Sequence, residues 1–160
     1  MTIQQGDQIP EATFKRLTST GLIDVDTSTL FRGKKVAVFG LPGAYTPVCS
    51  EHHLPGFVKQ AGALKEKGFD EIVCISVNDP FVMDAWGKLH GADGELTMLA
   101  DADGAFTRAI GLVVSLPTFG LGDRSERYSM VVDDSVVSKL SIEKSVLDHE
   151  LTSASCMLRG

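Results

Sequence analysis

Two short apolar runs in the first half of the chain are each followed by a helical pattern. Residues 35–40 (KVAVFG) and 71–77 (EIVCISV) have the length and β-branched content of buried strands. A helical pattern over residues 48–67 follows the first run. After the second, Asp79 is a predicted N-cap and Pro80 the first helical residue. Strands that alternate with helices predict an α/β fold with a partly parallel sheet.

Shorter elements are predicted after residue 90. The pattern indicates a strand at 97–100, a helix at 104–110 and a glycine-rich loop at 111–123. A strand pair at 128–132 and 136–141 turns at residues 133–135.

Two helices carry apolar stripes. The helix after Pro80 places Phe81, Ala85, Trp86 and Leu89 on one face, which predicts that this face packs on the core. The last helix is predicted to begin at Ser145, with Asp148 completing a capping box. Its stripe consists of Leu147, Leu151, Ala154 and Leu158.

Composition and charge exclude several classes of protein. The chain has 160 residues, of which 43% are hydrophobic and 22% charged, so one globular domain over residues 1–160 is expected. The net charge of −6 argues against binding to nucleic acid or acidic membranes. The longest uncharged stretch, residues 109–122, is too short to span a bilayer. A cytoplasmic location is expected, with an organellar form after removal of a presequence as the alternative.

The three cysteines do not form a recognisable framework. Cys49, Cys74 and Cys156 are odd in number and far apart, which is unlike a disulfide scaffold or a zinc ribbon. No motif for a metal, flavin or haem is present, so no cofactor is expected. Each cysteine is therefore either a packing residue or a reactive thiol.

The segment before Cys49 favours a reactive thiol. Thr46 is a good N-cap and Pro47 suits the first helical position, so Cys49 becomes the third helical residue. Its sulfur then lies near unpaired backbone N–H groups and the positive end of the helix dipole, which favour the thiolate. The Thr46 hydroxyl is expected to form a hydrogen bond near the sulfur.

Five motifs resemble those of one enzyme family. The segment PGAYTPVCS (residues 42–50) is similar to the PGAFTPTCS signature of peroxiredoxins. Further stretches resemble the type II subgroup, which is like peroxiredoxin 5: HLPGFV, ISVNDPFVM, LADADGAFT and GLGDRSERYSMVVDD. The resemblance implies a thioredoxin-like α/β fold, with a mixed, mostly parallel sheet flanked by helices. It also implies a thiol-dependent peroxidase that reduces hydrogen peroxide and alkyl hydroperoxides.

The resemblance also implies roles for individual residues. Cys49 would be the peroxidatic nucleophile, Thr46 would hydrogen-bond the thiolate and the peroxide, and Pro42 would shield the site from water. Arg127 would favour the thiolate and polarise the peroxide. Apart from the resemblance, Arg124 is a second cation nearby in the sequence and is expected to support the site. Elementary chemistry agrees, since an oxygen transfer needs a thiolate and positive charge near the developing anion.

The histidines leave two rival functions open. His52 and His53 lie on the helical face of Cys49, so a Cys49–His52 hydrolase is one alternative. A non-enzymatic thioredoxin-like binding or chaperone module is the other. The resemblance favours His53 as a supporting residue of the site, whereas His90 and His149 carry no motif and are expected at the surface.

Recycling of Cys49 is open at the level of the sequence. Cys74 lies within a buried strand, ~10 Å along the sheet from Cys49 at ~3.3 Å per residue, which is too far for a direct disulfide. Cys156 faces away from the stripe of the last helix. Both are candidate resolving thiols, but an external thiol is the simplest expectation. The resemblance implies glutaredoxin with glutathione, or thioredoxin, as reductant, and a homodimer.

Pro55 lies inside the predicted helix at 48–67 and is expected to kink it, because proline cannot donate to the carbonyl of Glu51. Such a kink would ease local unwinding around Cys49, or it would be a static feature.

Overall fold

Nine strands and five α-helices make up the fold. The computed structural model describes residues 1–159. The strands are β1 (Thr13–Thr18), β2 (Gly21–Asp26), β3 (Lys35–Leu41), β4 (Glu71–Ser76), β5 (Thr97–Ala100), β6 (Val113–Leu116), β7 (Gly122–Ser125), β8 (Tyr128–Asp133) and β9 (Val136–Ile142). The helices are α1 (Thr27–Phe31), α2 (Leu54–Glu66), α3 (Pro80–Leu89), α4 (Ala105–Ala109) and α5 (Ala154–Arg159).

A seven-stranded mixed sheet forms the centre, in the order β2-β1-β5-β4-β3-β8-β9. The inner strands β5, β4 and β3 are parallel to one another, and the strands on either side of them are antiparallel. The two apolar runs of the sequence are the adjacent strands β3 and β4, as predicted. The mixed α/β class is confirmed.

The sheet is buried on both faces. Along β3, Val36 and Val38 belong to the core on one side, whereas Ala37 and Phe39 belong to the core on the other. Buried side chains at successive positions explain why this strand has no alternation of apolar and polar residues. The carboxyl end of β3 therefore lies at an edge of the sheet where the core packs on both faces of the strand.

The N-terminal region and residues 111–123 contain structure that the sequence pattern did not predict. β1 and β2 form a hairpin that joins the sheet through β5. The predicted loop at 111–123 contains β6 and the first half of β7, which pair with each other as a separate two-stranded ribbon. The missed hairpin is mostly half-buried or exposed, so it lacks the apolar run that marks β3 and β4.

The predicted helix at 48–67 is interrupted by a π-helical turn. Residues Cys49–His53 are π-helical, and the N–H of Leu54 donates to the carbonyl of Cys49, five residues back. Pro55 then lies in the first turn of α2, where its missing N–H costs little. The α-helical pattern is thus interrupted just before Pro55, by a π-helical turn of the kind that is frequent at functional sites.

The N-cap of the last helix lies eight residues later than predicted. Ser145 caps only a turn, and the N-cap of α5 is Ser153, whose hydroxyl accepts from the N–H of Cys156 at 3.1 Å. Leu147 and Leu151 are exposed rather than part of a buried stripe. The reason is tertiary: buried side chains bind the backbone of segment 145–153, as described below, and a helix would use those same backbone groups.

The apolar face of α3 that was predicted to pack on the core is mostly exposed. Asp79 caps the helix as expected, with its carboxylate 2.8 Å from the N–H of Val82. Trp86 is buried, but Phe81, Ala85 and Leu89 are exposed, because the face of Met83 and Gly87 packs on the core instead. A β-carbon at position 87 would lie 2.8 Å from Met98 Cγ, so a larger residue there requires Met98 to move.

Among residues 1–159, no helix has the length and hydropathy needed to cross a membrane.

Candidate active site

Residues 42–48 carry the chain from the end of β3 to Cys49. The N–H of Ala44 donates to Asn78 Oδ1 at 3.0 Å, which ties this segment to the loop after β4. Tyr45 has a φ of 67°, a left-handed conformation that is uncommon outside glycine and often found at functional turns. Helical geometry begins at Pro47, so Cys49 is the third helical residue, as predicted.

The register of β3 against β8 places Arg127 beside the same segment. Gly40 pairs with Tyr128, and the tyrosine ring occupies the space where a side chain at position 40 would lie. Arg127 precedes Tyr128 and therefore lies level with the end of β3, where the chain leaves for Cys49. This register brings two residues 78 positions apart in sequence into contact.

Arg127 and Cys49 meet in a buried site. The Cys49 side chain has no exposed surface and that of Arg127 only 1%. Arg127 Nη2 donates to Cys49 Sγ at 3.2 Å and to the Val146 carbonyl at 3.0 Å, and Nε donates to the same carbonyl at 3.1 Å. A guanidinium at this distance stabilises a thiolate over a thiol.

His53 holds the other side of the guanidinium. Its Nδ1 lies 2.9 Å from Arg127 Nη1 and must accept, because arginine can only donate. Its proton is therefore on Nε2, which donates to the Thr152 carbonyl at 3.1 Å. Burial and then the charge of Arg127 lower the pKa of His53 well below its ordinary value, so the imidazole stays neutral.

Thr46, Pro42 and Arg124 form the rim of the site. The Thr46 hydroxyl donates to the Gly43 carbonyl at 2.7 Å, so its oxygen remains free to accept. Pro42 is buried, and Arg124 Nη1 lies 3.4 Å from its carbonyl. Arg124 thus contacts the segment that carries the site, whereas Arg127 contacts the sulfur itself.

A cavity of about 340 Å³ opens onto Pro42, Thr46 and Arg127. Thr46 and Arg127 contribute its polar groups, and the remaining lining is apolar or aromatic. That lining consists of Pro42, Tyr45, Pro47, Val48, Leu116, Phe119, Leu121, Val146 and Leu147. The cavity therefore combines two polar groups with an otherwise apolar lining.

Among the described residues, the other two cysteines form no hydrogen bond with Arg127. Cys74 is fully buried in β4 and pairs with Phe39. Burial, and next the charge of Cys49, raise the pKa of the Cys74 thiol well above its ordinary value, although Arg127 opposes the shift. Cys156 is half-buried on α5, with its sulfur 3.0 Å from the Glu150 carbonyl. All three thiols are free.

The sequence did not indicate two residues near the site. His149, expected at the surface, is half-buried with its ring 5.1 Å from that of His53. Glu143 is buried and holds segment 145–153, whose carbonyls bind Arg127 and His53. Neither residue lies in a motif. The acceptors of this segment are backbone carbonyls, which every residue has, so residue types do not reveal them. Within residues 1–159, no cluster of His, Cys, Asp and Glu has the geometry of a metal site.

Comparisons with known proteins agree on a family. The Redoxin family model matches residues 4–155. Peroxiredoxin-2E, chloroplastic, from Arabidopsis thaliana is 47% identical over 147 residues, which cover 89% of this chain but only 63% of that protein. Peroxiredoxin-2B from the same plant is 43% identical over 142 residues, which cover 88% of each chain.

Solved structures give the same result. Reduced Prx3 from Vibrio vulnificus in complex with H2O2 is 46% identical and superposes with a TM-score of 0.94, covering 99% of this chain and 98% of that one. With the thioredoxin-like fold and the site described above, these likenesses place the chain in the redoxin family, among the peroxiredoxins of the type II, peroxiredoxin-5-like group, which are thiol-dependent peroxidases.

Proposed function

We propose that Cys49 is the peroxidatic nucleophile of this thiol-dependent peroxidase, with Arg127 and Thr46 binding the peroxide and His53, Pro42 and Arg124 supporting them. The observation that carries the proposal is the 3.2 Å contact between Arg127 Nη2 and Cys49 Sγ inside a buried site. Burying a guanidinium without an opposite charge destabilises the folded protein. The partner of Arg127 at this position is therefore best an anion, which favours the thiolate of Cys49.

The reaction is an oxygen transfer from peroxide to sulfur. The Cys49 thiolate attacks the terminal peroxide oxygen, the S–O bond forms and the O–O bond breaks. Sulfur is oxidised to sulfenic acid, and the leaving alkoxide or hydroxide takes up a proton to become alcohol or water. Thr46 accepts the hydrogen bond of the peroxide O–H.

Arg127 stabilises the developing oxyanion. Within residues 1–159, four of its five N–H groups form hydrogen bonds. Two donate to the Val146 carbonyl, one to His53 and one to Cys49. The remaining N–H, on Nη1, is the one assigned to the peroxide.

The substrates are hydrogen peroxide and alkyl hydroperoxides. The O–O–H group is small enough to reach Thr46 and Arg127, and the apolar lining of the cavity accommodates an organic substituent. The two rival functions lack support. His52 is exposed, and the histidine beside Arg127 is His53, which acts as a neutral acceptor there rather than as a base for Cys49. A pure binding module does not require a buried arginine on a thiol.

An external thiol restores Cys49, with glutaredoxin and glutathione, or thioredoxin, as the proposed reductants. Glutathione attacks the sulfenic sulfur, water leaves and a mixed disulfide forms. A second thiol then releases the Cys49 thiol and an oxidised disulfide. Cys74 is a poor resolving thiol because it is buried and protonated at neutral pH. A cytoplasmic location stays a prediction, since one relative is named as chloroplastic.

Replacing Cys74 and Cys156 together with serine is expected to leave glutathione-supported peroxide turnover within about threefold of the parent, because neither thiol is needed. The measurement is steady-state peroxide consumption with glutathione and glutaredoxin, and in parallel with thioredoxin. Mass spectrometry after one equivalent of peroxide should find one added oxygen, or a glutathione adduct when glutathione is present. Quantitative formation of a Cys49–Cys74 or Cys49–Cys156 disulfide in the parent would contradict external recycling.

The protein is proposed to form a homodimer through an exposed apolar surface beside the site. Phe81 is 59% exposed and Leu89 68% exposed, and with Ala85 they follow each other at four-residue spacing on α3. Tyr45, 53% exposed, lies on the neighbouring segment, which Asn78 ties to the start of α3. Within residues 1–159 nothing covers this stripe, and a second copy of the same stripe is a matched partner.

Phe81→Asp is expected to convert a dimer into a monomer, because it places a charge in the centre of the apolar surface. Sedimentation velocity at about 5 and 50 μM measures the change. Leu22→Asp is the control, since Leu22 is also exposed but lies on the edge strand β2. A parent that sediments as a monomer at both concentrations, or a Phe81→Asp protein that remains dimeric, would contradict the proposal.

A further inference from the structure

Glu143 is a buried carboxylate just after β9. Its side chain is 3% exposed, and within residues 1–159 it forms no ion pair. A single oxygen, Oε2, accepts from the N–H of Glu150 at 2.9 Å, the N–H of Thr152 at 2.8 Å and the Thr152 hydroxyl at 2.7 Å. Glu143 thus fixes the far end of segment 145–153, which contains no helix or strand.

That segment supplies both carbonyls that orient the site. The Val146 carbonyl receives Nε and Nη2 of Arg127, and the Thr152 carbonyl receives Nε2 of His53. A continuous series of contacts therefore connects Glu143 with the sulfur of Cys49. It passes through Thr152, His53 and Arg127.

Glu143 is ionised at neutral pH despite its burial. Burial alone opposes the charge, but hydrogen bonds from the Thr152 hydroxyl and from the N–H groups of Thr152, Leu151 and Glu150 outweigh it. Together they lower the pKa of Glu143 below its ordinary value. Charge-assisted hydrogen bonds of this kind are the stronger ones, which suits a group that must hold a loop in one geometry.

We propose that Glu143 is a positioning residue for peroxide reduction: it fixes segment 145–153 so that the Val146 and Thr152 carbonyls hold Arg127 and His53 against Cys49. The inference rests on the proposed role of Arg127. Without Glu143, two carbonyls lose their fixed positions, and the guanidinium no longer has a single orientation toward the sulfur. Small displacements of such a group reduce rates strongly.

A second buried carboxylate provides a matched control. Asp101 is 2% exposed and accepts from the N–H of Phe106 at 3.1 Å, the N–H of Thr107 at 2.8 Å and the Thr107 hydroxyl at 2.6 Å. Like Glu143, it accepts short hydrogen bonds from two N–H groups and one threonine hydroxyl. Its hydrogen bonds, however, hold α4, and none among the described residues reaches Cys49, His53 or Arg127.

The experiment compares Glu143→Ala, Glu143→Gln and Asp101→Ala in a background in which Cys74 and Cys156 are serine, so that Cys49 is the only thiol. Three quantities are measured: the thiolate fraction at pH 7 from absorbance at 240 nm, the single-turnover rate with hydrogen peroxide, and Tm. Glu143→Ala is expected to lower the thiolate fraction and slow the peroxide step at least about tenfold. Glu143→Gln should recover most of the loss, because its amide oxygen still accepts. Asp101→Ala should lower Tm alone.

Equal thiolate fractions and equal rates in Glu143→Ala and Asp101→Ala would overturn the positioning role while leaving the proposed function intact. If Glu143→Ala does not fold, Thr152→Val removes only the hydroxyl donor. A several-fold slower peroxide step in that variant supports the inference, and an unchanged rate overturns it. A background protein that consumes no peroxide would instead overturn the proposed function, and the Glu143 inference with it.

Discussion

Cys49→Ser is expected to abolish peroxide reduction. A serine hydroxyl stays protonated at neutral pH and cannot accept an oxygen atom as sulfur does, so the oxidation to sulfenic acid has no starting point. Loss of the nucleophile should reduce turnover at least about a thousandfold, to the rate of the uncatalysed reaction. The measurement is peroxide consumption with a saturating reductant, in the parent and in the variant.

Two single variants serve as controls for this experiment. Cys74→Ser and Cys156→Ser remove the other thiols, and both should remain active if Cys49 alone reacts with peroxide. Serine is close to cysteine in size, so the fold around the buried position 49 should persist, and far-UV circular dichroism checks this. Appreciable turnover by Cys49→Ser would overturn the assignment of the nucleophile.

The sequence predicted those parts of the site that are local along the chain. Thr46, Pro47 and Cys49 belong to one helix start, and the rules for helix caps place them without tertiary information. Strands β3 and β4 were predictable because strands buried on both faces read as continuous apolar runs. Arg127 required the family resemblance, since its approach to Cys49 depends on the register of β3 with β8.

The errors share a physical cause, which is competition from tertiary contacts. Ser145 and Asp148 have the spacing of a capping box, yet Arg127 binds the Val146 carbonyl and Glu143 binds the N–H groups of Glu150 and Thr152. A helix over these residues would need the same backbone groups. The predicted helix therefore does not form, because its backbone groups are bound by side chains that the folded sheet brings close.

The exposed stripe of α3 is a different kind of error. Phe81, Ala85 and Leu89 are apolar at helical spacing, so the pattern itself was correct, but it points away from the core of this chain. An apolar pattern shows that a face is buried in something, and it does not specify whether the partner is the same chain. This is why a second copy is proposed to cover it.

Arg127→Ala is expected to slow the peroxide step about a hundredfold, equivalent to ~3 kcal/mol of lost transition-state stabilisation. The variant loses the donor to Cys49 and the one N–H proposed for the peroxide, so both the thiolate and the leaving oxygen lose their positive partner. The protein is mixed rapidly with peroxide and the reaction is quenched at successive times. Mass spectrometry of the quenched samples then gives the rate at which the free Cys49 thiol is lost. The thiolate fraction at pH 7 should fall in the same variant.

Arg127→Lys and Arg124→Ala separate charge from geometry. A lysine ammonium keeps the charge but lacks the planar fork that contacts Cys49, His53 and Val146 at once, so an intermediate loss is expected. Arg124→Ala should slow the peroxide step less than Arg127→Ala, because the side-chain hydrogen bonds of Arg124 go to the carbonyls of Pro42 and Leu121 and not to Cys49. A larger effect at Arg124 would mean that the 3.2 Å contact with the sulfur is not the interaction that activates Cys49, and that the cation at the rim binds the peroxide instead.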